Sequence, residues 1–464
     1  MERQIQKLFW FFAVLFLALI AQLSYVQVWA APELRTHANN TRAVEREMRV
    51  ERGSVVSSDG VLLAGNRKEG VYFLRDYPEG ALVSPWLGYS SLRYGRSGLE
   101  RAYNLELAGE TDALVVRSYI DLLTGRPHRG ADLVLTIDSR VQRAAVDALG
   151  GAAGAVVALD PRTGAVLAMT SSPRFDPRTL DDDWASLIED ESRPLVDRAV
   201  QGLYPPGSVF KLVVAAAGLE EGVVTPGTMF EDEGSWLAGG YRVSNNDGKV
   251  FGQHDFAEAL TRSVNTTFAK VGVDLGADTL ARYAADFGIG SAPSWRLGGA
   301  SGSFPAPAGL DTAHVAQASF GQGEVLVTPL QMALVTAGIA NGGTVMAPYL
   351  VAEVRDYSQT VLEKADPTRV NSPISEATAG EVRDMMVQVV ERGTGTAAAI
   401  SGVEVAGKTG TAQVEGGASH AWFVGFAPAD DPVIVVAVLV EHGGSGGGTA
   451  APIARAVLRA ALER

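Results

Sequence analysis

The chain has 464 residues, of which 47% are apolar and 20% charged, with a formal net charge of −14 and no cysteine. That length holds two or three domains with full cores. The acidic balance argues against a nucleic-acid partner, which needs a basic face. The lack of cysteine excludes a disulfide framework, a thiolate nucleophile and a cysteine metal site.

Arg3 and Lys7 precede LFWFFAVLFLALIAQLSYVQVWAAP, and no charge falls between Leu8 and Pro32. About 20 apolar residues span a bilayer. Residues 1–31 are therefore predicted to form a cytoplasmic tip and one membrane helix. Positive charge before the span puts the N-terminus inside and the bulk of the chain outside. Tyr25 and Trp29 are expected at the outer interface. Val28-Trp29-Ala30 passes weakly as a signal-peptide cleavage site, the lesser alternative. In both cases the rest of the chain works outside the cytoplasm.

Residues 32–150 read as a β-rich pedestal. The polar stretch from Glu33 to Met48 reads as a stalk, and VERGSVVSSDGVLLAGN as a hairpin around Ser-Asp-Gly. GADLVLTIDSRVQRAAVDALGG predicts a strand and then a helix capped by Asp138. A second domain, 151–464, opens with the hairpin GAVVALDPRTGAVLAMTSSP. Helical pieces are predicted from Ser208 to Phe287, and TPLQMALVTAGIANGG is a helix stopped by Asn-Gly-Gly. AGKTGTAQVEGGASHAWFVGFAPADDPVIVVAVLVEHGG reads as three antiparallel strands, and APIARAVLRAALER as a closing helix. Strands at both ends with helices between predict an α+β domain whose sheet joins the two ends.

Three short stretches carry chemistry. YPPGSVFKLVV puts Ser208 near a helix start and Lys211 one turn later on the same face. A serine hydroxyl is a weak nucleophile until a neighbouring base takes its proton. A buried lysine can be that base, whereas arginine stays protonated. The chain has only seven lysines among its 39 basic residues, and Ser-x-x-Lys occurs once. Without other signals the pair reads equally as a helix cap and a snorkelling lysine. GKTGTAQV places Lys408, Thr409, Gly410 and Thr411 on a strand edge open to a ligand backbone; its plain alternative is a glycine bulge. Ser-x-Asn occurs at Ser244-Asn245-Asn246, a turn by composition, and at Ser263-Val264-Asn265, between helical pieces. Either reads blandly as a local side-chain turn. Six histidines at no ligand-like spacing give no metal site to expect.

Ser208-x-x-Lys211, Ser263-x-Asn265 and Lys408-Thr409-Gly410 follow one another in that order. The set resembles the penicillin-binding proteins and serine β-lactamases. RGSVVSSDGVLLA, GLERAYNLELAG, LVLTIDSRVQRAA, GAVVALDPRTGAVLAMTSSPRFDP, FGQGEVLVTPLQMA and AWFVGFAP are similar to class B, transpeptidase-only penicillin-binding proteins of a short actinobacterial type. One departure is Asp197, where the resemblance leads us to expect asparagine.

The resemblance implies a penicillin-binding, serine β-lactamase-like transpeptidase fold: an antiparallel sheet flanked by helices, plus a mainly helical subdomain. It implies acyl transfer on the D-Ala-D-Ala end of a peptidoglycan stem peptide, without cofactor. Ser208 would be the nucleophile, Lys211 its base, and Ser263 and Lys408 a proton route. Asn265 would hold the donor amide, Lys408 and Thr409 the donor carboxylate, and the N–H groups of Ser208 and Thr411 the oxyanion. β-Lactams would trap Ser208, and a SEDS-family membrane polymerase would be the partner. A β-lactamase, a D,D-carboxypeptidase, a β-lactam sensor and a vestigial site are the competing readings.

Overall fold

A computed structural model describes residues 2–25, 48–111, 114, 129–414 and 416–463. Trp29, Val28-Trp29-Ala30 and nearly all of the expected stalk lie outside the described residues. The helix Glu2–Ser24 opens the chain, with a mean hydropathy of 2.0 and none of its apolar window buried in the protein. Among the described residues it is the one helix long and apolar enough to cross a membrane. Phe9, Trp10 and Phe16 are exposed on it, as a bilayer rather than water requires.

The pedestal is a six-stranded sheet. Val55–Val56 and Leu62–Glu69 form the expected hairpin, whose turn is tied by Ser57 Oγ donating to Asp59 at 2.6 Å. Tyr72–Asp76 adds antiparallel on the outside, and Asp132–Leu135 adds parallel to Val55–Val56 on the inside. Two strands from far along the chain, Val351–Arg355 and Val361–Lys364, complete the other edge. A fully buried Glu100 sits beneath this sheet, bound by Arg52 (2.7 Å) and Arg75. Burial alone would raise its carboxyl, but the two guanidinium groups outweigh that and hold it below the usual carboxylate range.

The second unit is built on a five-stranded antiparallel sheet in the order Ala406–Ala412, His420–Ala427, Ile434–Val440, Gly154–Leu159, Val166–Ser172. The two ends of the region do meet in one sheet. Its strands are apolar on both faces because both are covered. Val435, Ala437 and Leu439 enter one core with the helices Lys211–Glu220 and Pro329–Ala340. Ile434, Val436 and Val438 enter another with Ser139–Leu149 and Ala451–Leu462. The period-2 alternation of a strand makes this two-sided sandwich possible. Asp138 accepts from the N–H groups of Arg140 and Val141. Thr328 and Gln331 close a reciprocal capping box at the head of Pro329–Ala340.

Between Ser208 and Phe287 the structure differs from a purely helical reading. The helices Lys211–Glu220, Phe256–Arg262, Asn265–Leu275 and Ala277–Asp286 are there. Two strand pairs intervene: Met229–Asp232 with Gly252–Asp255, and Ser235–Ala238 with Tyr241–Ser244. These strands have four residues each and no clean alternation of burial. Pairing with a neighbour stabilises them, not local propensity.

Glu100→Ala would leave two guanidinium groups buried without their anion. We expect about 3–5 kcal/mol of destabilisation. It should appear as a downward shift of pedestal unfolding in denaturant, measured on the detergent-solubilised chain.

Candidate active site

Ser208 lies in the tight 3-10 turn Gly207–Phe210, which runs directly into the helix Lys211–Glu220. The helix is buried on every side up to Leu219, so Lys211 is carried into the core. The turn is pinned from outside. Trp422 Nε1 donates to Pro205 O at 3.0 Å, and Gly207 N donates to Gly321 O at 2.9 Å. Gly207 has φ +54°, and a Cβ there would stand 2.9 Å from Thr411 O. Only glycine lets the Ser208 turn lie this close to the edge strand.

Ser263 sits between the helices Phe256–Arg262 and Asn265–Leu275 with φ 62° and ψ 45°. That left-handed conformation is uncommon for a residue with a Cβ. Its N–H is held by Leu260 O at 3.2 Å, and the N–H of Val264 by Ala259 O at 2.9 Å. Lys408 lies on Ala406–Ala412, the edge strand of the five-stranded sheet.

These side chains meet. Lys211 Nζ donates to Ser263 O at 2.8 Å and Asn265 Oδ1 at 2.7 Å, and lies 3.1 Å from Ser263 Oγ. Lys408 Nζ lies 2.9 Å from the same Ser263 Oγ and donates to Thr409 O at 3.0 Å. Both lysines are completely buried. Burial, then the charge of Lys408, pushes the Lys211 amine well below its ordinary range. Burial brings Lys408 down to about 7. A neutral amine has two N–H donors and one lone pair. In that neutral form the two carbonyl acceptors on Lys211 would use both donors and leave the lone pair for a hydroxyl.

Ser208 joins this cluster through chain geometry, one turn before Lys211. Thr409 Oγ1 is 2.6 Å from Thr394 Oγ1, in the segment before the edge strand. Gly410 lies against the nucleophile turn, where a Cβ would come within 3.1 Å of Pro206 O and Val209. Thr411 is the residue that Gly207 approaches. Asp197 is buried and accepts from Ser171 Oγ (3.0 Å) and the N–H of Ala199 (3.1 Å); burial raises it to about 6. Its role is to brace the loop that leads to Ser208.

Sequence reading missed Thr394, whose only signal is the run Arg392-Gly393-Thr394-Gly395. It also left Ser244-Asn245 as a turn, although Ser244 O accepts from Asn265 Nδ2 at 3.0 Å. A cavity of about 780 Å³ lies at the pedestal, lined by Arg52, Arg75 and Tyr89 among others and by none of the residues of the candidate active site.

Residues 154–459 match the family described as penicillin binding protein transpeptidase domain, and residues 52–133 match the penicillin binding protein A dimerisation domain. The chain is 36% identical to the peptidoglycan D,D-transpeptidase PbpA of Mycolicibacterium smegmatis, over 97% of both chains. It is 33% identical to MrdA of Acinetobacter baumannii, over 78% of this chain and 59% of that one. Among solved structures, the ceftriaxone acyl-enzyme of penicillin-binding protein A from Mycobacterium tuberculosis superposes with a TM-score of 0.86 at 36% identity. It covers 90% of this chain and 99% of that one. The D,D-transpeptidase domain from Eggerthella lenta gives 0.83 at 39% identity, over 89% and 99%. With its pedestal, its transpeptidase domain and these relatives, the chain belongs to the class B penicillin-binding proteins.

Proposed function

We propose that the chain cross-links peptidoglycan stem peptides as a D,D-transpeptidase, through an acyl-enzyme on Ser208. The observation that carries the residue roles is one hydroxyl, Ser263 Oγ, shared by two buried amines. Ser208 Oγ attacks the penultimate D-Ala carbonyl, and neutral Lys211 takes its proton through the free lone pair. The N–H groups of Ser208 and Thr411 receive the oxyanion. Donors preorganised for that charge cost no reorganisation during reaction, and each is worth about 10²–10³ in rate. The proton then passes by way of Ser263 and Lys408 to the departing D-Ala amine. Asn265 keeps one N–H of its carboxamide for the donor peptide's amide. Lys408, Thr409 and Gly410 border the donor's terminal carboxylate, whose charge favours the protonated form of Lys408.

The amine of a second stem peptide enters the acyl-enzyme and completes the cross-link. β-Lactams acylate the same serine and block that second step. Residues 1–31 anchor the protein by a single helix with its N-terminus in the cytoplasm. The pedestal draws on residues 32–150, less the helix Ser139–Leu149 that packs on the transpeptidase sheet, and takes in the strands Val351–Arg355 and Val361–Lys364; the rest of 151–464 is the extracytoplasmic transpeptidase unit. A separate membrane polymerase of the SEDS type supplies the glycan strand.

Ser208→Ala should abolish covalent labelling by a fluorescent penicillin with little change in the melting curve. Lys211→Arg should lose acylation as fully as Lys211→Ala, at least about 10²-fold, because a guanidinium cannot accept the proton. Retention of most of the rate in Lys211→Arg would remove lysine from the base role. Incubation with lipid-linked donor and a partner polymerase should yield cross-linked dimers; trimmed monomers alone would indicate a carboxypeptidase.

The buried amines also predict a pH effect on stability. Lys408 titrates near 7 when folded, against 10.5 for a free lysine. Between those values the unfolded chain binds the extra proton, so this contribution to stability rises with pH across that window. Lys408→Met should flatten the slope and stabilise the protein at pH 7 by on the order of a few kcal/mol, while abolishing acylation. Denaturant unfolding from pH 6 to 10 measures both.

A further inference from the structure

The helix Asn265–Leu275 begins at the catalytic asparagine, yet its N-cap residue is Val264, whose side chain makes no capping bond. The first N–H groups of a helix need an acceptor, and here they are buried. The acceptor comes from 20 residues back. Asn245 Oδ1 accepts from the N–H of Asn265 at 2.9 Å and of Thr266 at 3.2 Å.

Asn245 is itself fixed. Its Nδ2 donates to Asp232 Oδ2 at 2.9 Å and Lys249 O at 3.0 Å, and its N–H donates to Gly234 O at 3.1 Å. Asp232 is buried and gathers the same helix start. Its carboxylate accepts from Thr266 Oγ1 (2.6 Å) and from the N–H groups of Gly234 (3.1 Å) and Phe251 (2.8 Å). The preceding residue completes the arrangement, since Ser244 O accepts from Asn265 Nδ2 at 3.0 Å. With its amide nitrogen on Ser244 O, the Asn265 carboxamide has its oxygen turned to Lys211 Nζ at 2.7 Å. One strand end, Ser244-Asn245, thus sets the helix that carries Asn265 and the face that Asn265 shows to Lys211.

We propose that Asn245, locked by Asp232, is a positioning residue for the acylation step. It acts as a cap supplied from a distant strand, and it fixes Asn265 Oδ1 where one N–H of Lys211 must point. This rests on the reading of Lys211 as the base. Misplacement of a catalytic group by about 1 Å costs on the order of 10²-fold in rate.

The test uses the full-length protein in detergent, with benzylpenicillin as the acylating probe and active sites counted by titration. Asn245→Ala should lower the second-order acylation rate about 10²-fold. The acid limb of its pH–rate profile should move to lower pH, because the Lys211 ammonium loses an acceptor that favours its charged form. If folded Asn245→Ala acylates at the wild-type rate with the limb in place, the proposal is overturned, whatever the melting curve does. Should that variant not fold, Asn245→Asp decides. It keeps an acceptor for the two N–H groups but faces Asp232, and two adjacent carboxyl groups do not both ionise easily. Its rate relative to wild type should fall as pH rises from 5 to 8, and adding Asp232→Asn should restore most of it. A flat ratio, or no recovery in the swapped pair, overturns the proposal. The acylation rate of Lys211→Arg, measured alongside, tests the reading of Lys211 separately.

Discussion

Lys211 and Lys408 bring two amines to one serine hydroxyl in a place that water does not reach. Two ammonium ions there would repel each other and would lack hydration, so the protein resolves the conflict by lowering both pKa values. Desolvation thereby suits Lys211 to the proposed base role, because a solvated lysine would stay protonated at neutral pH and could not activate a hydroxyl. The same burial is a stability cost, which the rest of the fold must offset. The polar demand of each amine is met within the chain by Ser263 O, Asn265 Oδ1 and Thr409 O.

Keeping these amines dry dictates the architecture around them. A helix that begins at Lys211 must be apolar all round, and residues 211–219 are buried throughout. A sheet under such a helix needs cover on both faces, which is why alternate residues of Ile434–Val440 serve two cores. The edge strand that carries Lys408 has no strand paired on its outer side. Its small residues let the Ser208 turn, rather than another strand, approach closely. Ser263 takes a left-handed backbone at the junction of two helices, and such a conformation persists only where surrounding bonds over-determine it. Helix ends on both sides do so.

Much of this was readable in the residues because the determining signals are local. The Ser-Asp-Gly turn, the Asp138 cap and the apolar runs of the last three strands act within a few positions. The sequence singled out Lys211 for a chemical reason, a property that arginine lacks, and the fold gathers Lys211, Ser263, Asn265 and Lys408. What stayed hidden depends on distant partners. The four-residue strands between 229 and 255 are stabilised by pairing that no local pattern announces. Asn245 looks like a turn residue because it is one, and its second duty appears only when the helix start 20 residues later folds onto it. Thr394 acquires meaning only beside Thr409. The strands at 351–364 join a sheet whose other strands lie 200 or more residues earlier.

That last pairing bears on how the pedestal and the transpeptidase unit act together. A single chain crossing between two domains leaves them free to hinge. Here the chain goes back, and Val351–Arg355 pairs with Asp132–Leu135 inside the pedestal sheet. Arg296 adds a second tie, bonding Glu106 at 2.9 Å and lying 3.9 Å over the Tyr103 ring. Rotation of one unit against the other would therefore break a β-ladder and a half-buried ion pair together. Strand 351–355 is one of the ties through which a force on the pedestal reaches the catalytic unit. Val351 shares a core with the helix Pro329–Ala340, which covers the sheet whose edge strand carries Lys408.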